Sequence, residues 1–188
     1  MQDDPGRLVV VGYPELPASQ LDWIAGIRRR YPALRYSVVA PHFTLVFPLA
    51  GADAAPVVAH LTTRLAGQPA IPFVVRSSML THDATSPDTY VLLVPDAGFS
   101  GIVKLHDRLY TGLLAPHLRL DIPFIPHITV GYAGEAALCK QIVDAINGQA
   151  IELHGTLTRL MLLNVAGAAV ETLAHFDLTG PDPTQGVA

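Results

Sequence analysis

Residues 39–47, Val-Ala-Pro-His-Phe-Thr-Leu-Val-Phe, return without a gap as residues 124–132, Phe-Ile-Pro-His-Ile-Thr-Val-Gly-Tyr. Alternate side chains of a strand share a face, so His42 and Thr44 point one way while Phe43 and Leu45 point the other. His127 and Thr129 separate from Ile128 and Val130 in the same manner. Each strand then presents an imidazole and a hydroxyl about 6.5–7 Å apart along the chain, and its other face builds core. Pro41 and Pro126 suit the first position of a strand, where a missing N–H costs least. The repeat predicts motif strands from His42 to Phe47 and from His127 to Tyr132, one in each of two related lobes.

Around these strands the hydrophobic periodicity alternates between the two regular types. Strands are predicted over Arg7 to Tyr13, Ile71 to Leu80, Thr89 to Val94, Ile151 to Leu153, Leu160 to Val165 and Val170 to Phe176, with a polar hairpin loop from Thr81 to Asp88. Helices are predicted after an N-cap at Ser19 up to Arg30, over Ala54 to Leu65, over Phe99 to Leu114 with a stripe of Ile102, Leu105, Leu109 and Leu113, and over Glu135 to Ile146. Each motif strand is followed by a helix. Strands that adjoin through hairpins point to an α+β fold with mainly antiparallel sheets, two lobes related by a pseudo-two-fold lining a central cleft, and helices outside. One domain is expected over residues 1–178, with a loose Pro/Gly-rich tail over 179–188.

Composition limits the partners. With a net charge of −4 and only two lysines, Lys104 and Lys140, the chain offers no broad basic surface for a long run of phosphates. The expected partner is a small nucleotide or an RNA terminus, gripped locally by a monomer. Arg28-Arg29-Arg30 reads first as a solvated, dipole-compensating cap at the C-terminal end of its helix, with steering of an anionic ligand as the lesser alternative. Apolar runs all break well short of the roughly 18 residues a membrane span needs. The acidic start, Met1-Gln2-Asp3-Asp4-Pro5, is not ordered like a secretory signal, so a cytoplasmic location is expected. The one cysteine, Cys139, permits no internal disulfide and is assigned to helix packing.

His-x-Thr also occurs at His60-Leu61-Thr62 and His154-Gly155-Thr156. The first lies in a predicted helix, where residues two apart do not share a face. The second lacks the preceding proline and has glycine in place of a large apolar residue. What separates the true pair is the five-residue unit Pro-His-apolar-Thr-apolar, present twice in equivalent settings. Either copy alone reads as a strand with a satisfied histidine; the two together read as a site.

Two histidines and two hydroxyls suit phosphodiester chemistry. Histidine titrates near neutrality, so one neutral ring can take a proton from water while a second, protonated ring gives one to the leaving oxygen. The threonine hydroxyls can donate to the non-bridging phosphate oxygens. Neither motif contains a carboxylate, and the chain lacks His-Glu-x-x-His, a cysteine pair, a Gly-x-Ser-x-Gly elbow and the glycine-rich phosphate loops; no metal and no cofactor are expected.

At these residues the sequence resembles the two-histidine phosphoesterase superfamily, in particular the branch with 2′-5′ RNA ligases and RNA 2′,3′-cyclic phosphodiesterases. The resemblance runs from Arg7 to about Leu178. It implies a two-lobed α+β fold around a cleft, no metal, and hydrolysis of small cyclic phosphodiesters or RNA ends, with His42 and His127 as acid and base and Thr44 and Thr129 as phosphate donors. It departs at Tyr132, where several members carry an arginine; that loss counts against ligation and against affinity for longer RNA. Tyr132 and its counterpart Phe47 either stack on a base or pack at a strand end. The competing functions are a non-catalytic module for nucleotides or RNA ends, and a 2′-5′ RNA ligase.

Overall fold

A computed structural model describes residues 6–37, 39–83 and 86–179. Its elements run β1 (Arg7–Glu15), α1 (Ala18–Arg30), β2 (Phe43–Ala50), α2 (Ala54–Leu65), β3 (Ile71–His82), β4 (Thr89–Ala97), α3 (Phe99–Leu109), a 3-10 turn (Gly112–His117), β5 (Ile128–Ala133), α4 (Ala136–Asn147), β6 (Leu153–Ala166) and β7 (Ala169–Asp177). All strand pairings are antiparallel, in the order β2-β1-β6-β3-β4-β5. One edge of β6 takes β1; the other takes β3 along residues 153–157 and then β7 along 159–166.

The order reads the same from either end once β2 is matched with β5, β1 with β4 and β6 with β3. Each half supplies strand, helix, motif strand, helix: β1-α1-β2-α2 and β4-α3-β5-α4. The helices cross between halves, with α1 packing on β5 and α3 on β2. The expected α+β fold with antiparallel sheet and a two-fold repeat is therefore present. It is built on one continuous sheet, because β6 runs unbroken from Leu153 to Ala166, joining the last residue of the strand predicted at 151–153 to the strand predicted at 160–165.

The core follows the periodicities. Val57, Leu61 and Leu65 of α2 and Cys139, Ile142, Val143 and Ile146 of α4 are buried at helical spacing. Cys139 donates from Sγ to the Thr89 carbonyl, 3.2 Å away. Phe43, Leu45, Ile128 and Val130 are all buried, and Phe43 meets Phe73 edge to face. On the other side of the sheet Val9, Val11 and Leu163 form a smaller cluster with Tyr13 and Val39. Pairing to both neighbours and burial on both faces explain the uninterrupted Leu-Val-Val-Val run of β1.

Several expected boundaries move. Pro17, not Ser19, caps α1, without a side-chain hydrogen bond. The third helix stops at Leu109, because Gly112 turns at φ 51° into the 3-10 segment; Leu113 leaves the predicted stripe and is 46% exposed. β3 runs on to His82, shortening the hairpin loop. Thr179, assigned to the tail, is fixed by backbone bonds with Gln68 and Ala70; the rest of that tail, 180–188, lies outside the described residues.

A contact across the halves closes the fold. Residues 34–36 lie along the free edge of β5, where Arg35 and Tyr132 exchange both backbone hydrogen bonds, at 2.9 and 2.7 Å. This approach requires Gly131: a Cβ there would stand 2.5 Å from the Leu34 side chain and 2.6 Å from the Arg35 carbonyl. Gly131→Ala is expected to cost about 1–3 kcal/mol, as overpacking does, read as a lower urea midpoint with an unchanged slope.

Candidate active site

Both histidines sit one position ahead of their strands, since β2 begins at Phe43 and β5 at Ile128. The alternation still holds, with Thr44 and Thr129 half-buried between fully buried neighbours. Cross-strand partners give the face: Thr44 is opposite Val11 and Thr129 opposite Leu92. Val11 belongs to the cluster away from the main core, and Tyr13 on the same strand meets the His42 ring edge-on at 6.3 Å.

The two histidines are held in the same way. His42 Nδ1 lies 2.7 Å from the Ala40 carbonyl, and His127 Nδ1 lies 2.6 Å from the Ile125 carbonyl, each two residues upstream. A carbonyl only accepts, so Nδ1 carries the hydrogen in both rings. The lone pair of each neutral ring is thereby placed on Nε2, and protonation adds a hydrogen there. The pairs at His42/Thr44 and His127/Thr129 are thus equivalent in chemistry as well as sequence.

Burial lowers both imidazole pKa values from the ordinary 6.5. The hydrogen bonds to Ala40 and Ile125 oppose this, while the charge of Arg28 lowers His42 further and that of His42 lowers His127 further. The two rings are therefore within electrostatic reach. Below pH 6.5 the unfolded chain binds protons that the folded site resists, so the stability present above 6.5 is lost as pH falls toward the folded values. A chemical-denaturation series on wild type and His42→Asn checks the sign: the wild type is to lose more stability on acidification than the variant.

A β-bulge follows the threonine in each motif strand. Partners step from Val11↔Thr44 to Val10↔Val46, and from Leu92↔Thr129 to Val91↔Gly131. The extra residue brings Phe47 and Tyr132, three positions on from each threonine, to the threonine's face. Phe47 is half-buried, and its N–H donates to Tyr110 Oη at 2.9 Å. Tyr132 stacks on Tyr90 of β4, with ring centres 5.0 Å apart, and the Arg35 guanidinium lies 4.9 Å from the Tyr132 ring centre.

Two arginines lie beside the second motif strand: Arg35, which the sequence reading did not name, and Arg28, which it read as part of a helix cap. Arg35 pairs with Asp88 as well as lying over the Tyr132 ring, so a guanidinium stands beside that position. Arg28, expected as part of a solvated cap, is half-buried and donates from Nε to the Val130 carbonyl and from Nη2 to that of Thr129. Arg29 and Arg30 are exposed as expected. Nothing in residues 28–35 marks these partners, which lie from 53 to 102 positions away.

The rival His154-Gly-Thr156 lies in β6, where His154 sits 3.6 Å from the Glu152 carboxylate and lines a depression with Glu15 and Gly98. His60 lies in α2 and bonds the Leu109 carbonyl. Among the described residues no three His, Cys, Asp or Glu side chains are grouped so as to hold a metal ion, and no helix is long and apolar enough to cross a membrane.

Known proteins share this arrangement of elements. The apo crystal structure of LigT from E. coli superposes with a TM-score of 0.56 at 23% identity, over 94% of this chain and 99% of that one. Usb1 of Kluyveromyces marxianus superposes at 0.55 with 12% identity, over 90% and 98%. A Geobacillus kaustophilus protein, provisionally named a phosphoesterase, is 28% identical over 144 residues, 76% of this chain and 79% of its own length. The sequence profile of the 2′-5′ RNA ligase superfamily matches residues 15–169, most of the chain and both motifs, and the chain belongs to that superfamily.

Proposed function

We propose that the protein is a phosphoesterase that hydrolyses small cyclic phosphodiesters, of the nucleoside 2′,3′-cyclic or RNA-end type, by acid–base catalysis between His42 and His127. The observation that carries this reading is the matched pair: two rings just ahead of equivalent strands of the two halves, each fixed through Nδ1 with Nε2 left for proton transfer. One neutral Nε2 takes a proton from water as its oxygen attacks phosphorus. The other, protonated, gives its proton to the ribose oxygen as that P–O bond breaks. A phosphomonoester leaves, and proton exchange with solvent resets the pair. Thr44 and Thr129 donate to the non-bridging oxygens, where charge must be held during in-line displacement.

Relatives support the substrate size. LigT has been crystallised with 3′-AMP and with phosphate, and Usb1 with uridine monophosphate. Assaying a panel of nucleoside 2′,3′-cyclic phosphates in EDTA is expected to give turnover to a monoester. Because both histidines titrate low, the optimum of kcat/KM is expected on the acid side of the ordinary 6.5. Tight binding without turnover from about pH 5 to about pH 9 would instead make this a nucleotide-binding module. Joining of a cyclic phosphate end to a 5′-hydroxyl would make it a ligase.

A further inference from the structure

We infer that Arg28 is a positioning residue for the two-histidine site, tying the helix of one half to the motif strand of the other and holding a positive charge beside His42. The inference rests on the reading of His42 and His127 as the acid–base pair. Two observations support it. First, the guanidinium reaches the carbonyls of two consecutive β5 residues, Val130 at 2.8 Å and Thr129 at 3.1 Å. Consecutive carbonyls of a regular strand point to opposite edges; the bulge at this point presents both to one donor group. Second, the Tyr36 ring lies 4.5 Å from the guanidinium carbon and keeps it in place from the segment that leads to His42. Beside this geometry, the His42 pKa is lowered first by burial and, in smaller part, by the Arg28 charge. The two-fold repeat puts a counterpart on the other edge of the sheet, where Tyr110 at the end of α3 accepts the Phe47 N–H of β2. That counterpart is neutral, so the charge makes the two halves unequal.

The position explains a need that the fold creates. His42 precedes β2 and His127 precedes β5, at opposite ends of the strand order, so the ladder links them only through the four strands between. The Arg28 fork adds a direct link from α1 of the first half to Thr129 and Val130 of the second, made to backbone carbonyls and not to the threonine hydroxyl. The charged and titratable groups around His42 are Arg28 from α1, His127 ahead of β5 and Tyr13 from β1, together with the Ala40 carbonyl of its own segment. Of these Arg28 is the one permanent charge. Its removal eases protonation of His42.

The test uses the full chain with R28Q, R28K and R28M, the last keeping the aliphatic stem over Tyr36. His42 is titrated by imidazole NMR and kcat/KM for a 2′,3′-cyclic nucleotide is followed against pH. R28Q and R28M are expected to move the His42 titration, and the rate limb that reports it, to higher pH, changing the rate about threefold at a fixed pH on that limb. R28K, which keeps the charge and loses the fork, is expected to leave the titration near wild type while lowering kcat and the melting temperature. An unmoved His42 titration in whichever neutral variant folds, or an equal shift in R28K, overturns the inference. If wild type turns over no cyclic phosphate while His42 still titrates higher in R28Q, the positioning role stands and the reading of the reaction fails.

Discussion

Replacing His42 by alanine is expected to lower kcat for a nucleoside 2′,3′-cyclic phosphate by about 10²–10⁴-fold, and replacing His127 to do the same. Each ring carries one proton transfer, and without it water must attack unassisted or the alkoxide must leave unprotonated. The double variant is expected to fall little below the worse single one, since the two act on one displacement. Stability should move far less than rate. Each ring is only partly buried and its protein hydrogen bond is the single one to Ala40 or Ile125, worth about 1 kcal/mol. Steady-state kinetics beside thermal melts separates the two effects. A loss of rate matched by a loss of folded protein would count against the assignment.

Thr44→Val and Thr129→Val are each expected to cost about 10²-fold in kcat, the scale of one lost donor to developing charge. Valine keeps the branched shape that suits a strand, and both positions are half-buried on the face away from the main core, so the fold should tolerate it. Serine restores the hydroxyl and should recover most of the rate. The pH profile should keep its shape in the valine variants, because the hydroxyls hold charge and do not move protons at these pH values. A valine variant with wild-type kcat would remove that threonine from the chemistry.

The alternation of Pro-His-Phe-Thr-Leu and Pro-His-Ile-Thr-Val made both motif strands legible, because a two-residue period forces the chemistry onto one face. Helices α2 and α4 were legible for the same reason at a period of 3.6. What the sequence hid was non-local or conformational. Nothing in residues 151–165 announces that β6 runs unbroken, since its continuity depends on β3 and β1 pairing with its two edges. The bulges that turn Phe47 and Tyr132 toward the threonine face depend on pairing register, which single-strand periodicity does not carry. Tyr132, read as stacking on a base or packing at a strand end, stacks on Tyr90 and lies beside the Arg35 guanidinium, neither of which its own strand reveals. Arg28 read as a cap because a helix end explains a basic residue locally, whereas its carbonyl partners come from β5. Glycine spoke late as well: Gly112 ends a helix whose apolar stripe continued, and Gly131 admits a segment nearly a hundred residues earlier in the chain.

The central claim is that His42 and His127 divide proton transfer to one phosphate between them. The pH dependence of kcat/KM for a 2′,3′-cyclic nucleotide in EDTA, measured for wild type, His42→Ala and His127→Ala, tests it most directly. Wild type should give a bell with its maximum below 6.5, and each variant should keep residual turnover that lacks one limb, a different limb in each. A bell that survives intact in either variant would contradict the claim.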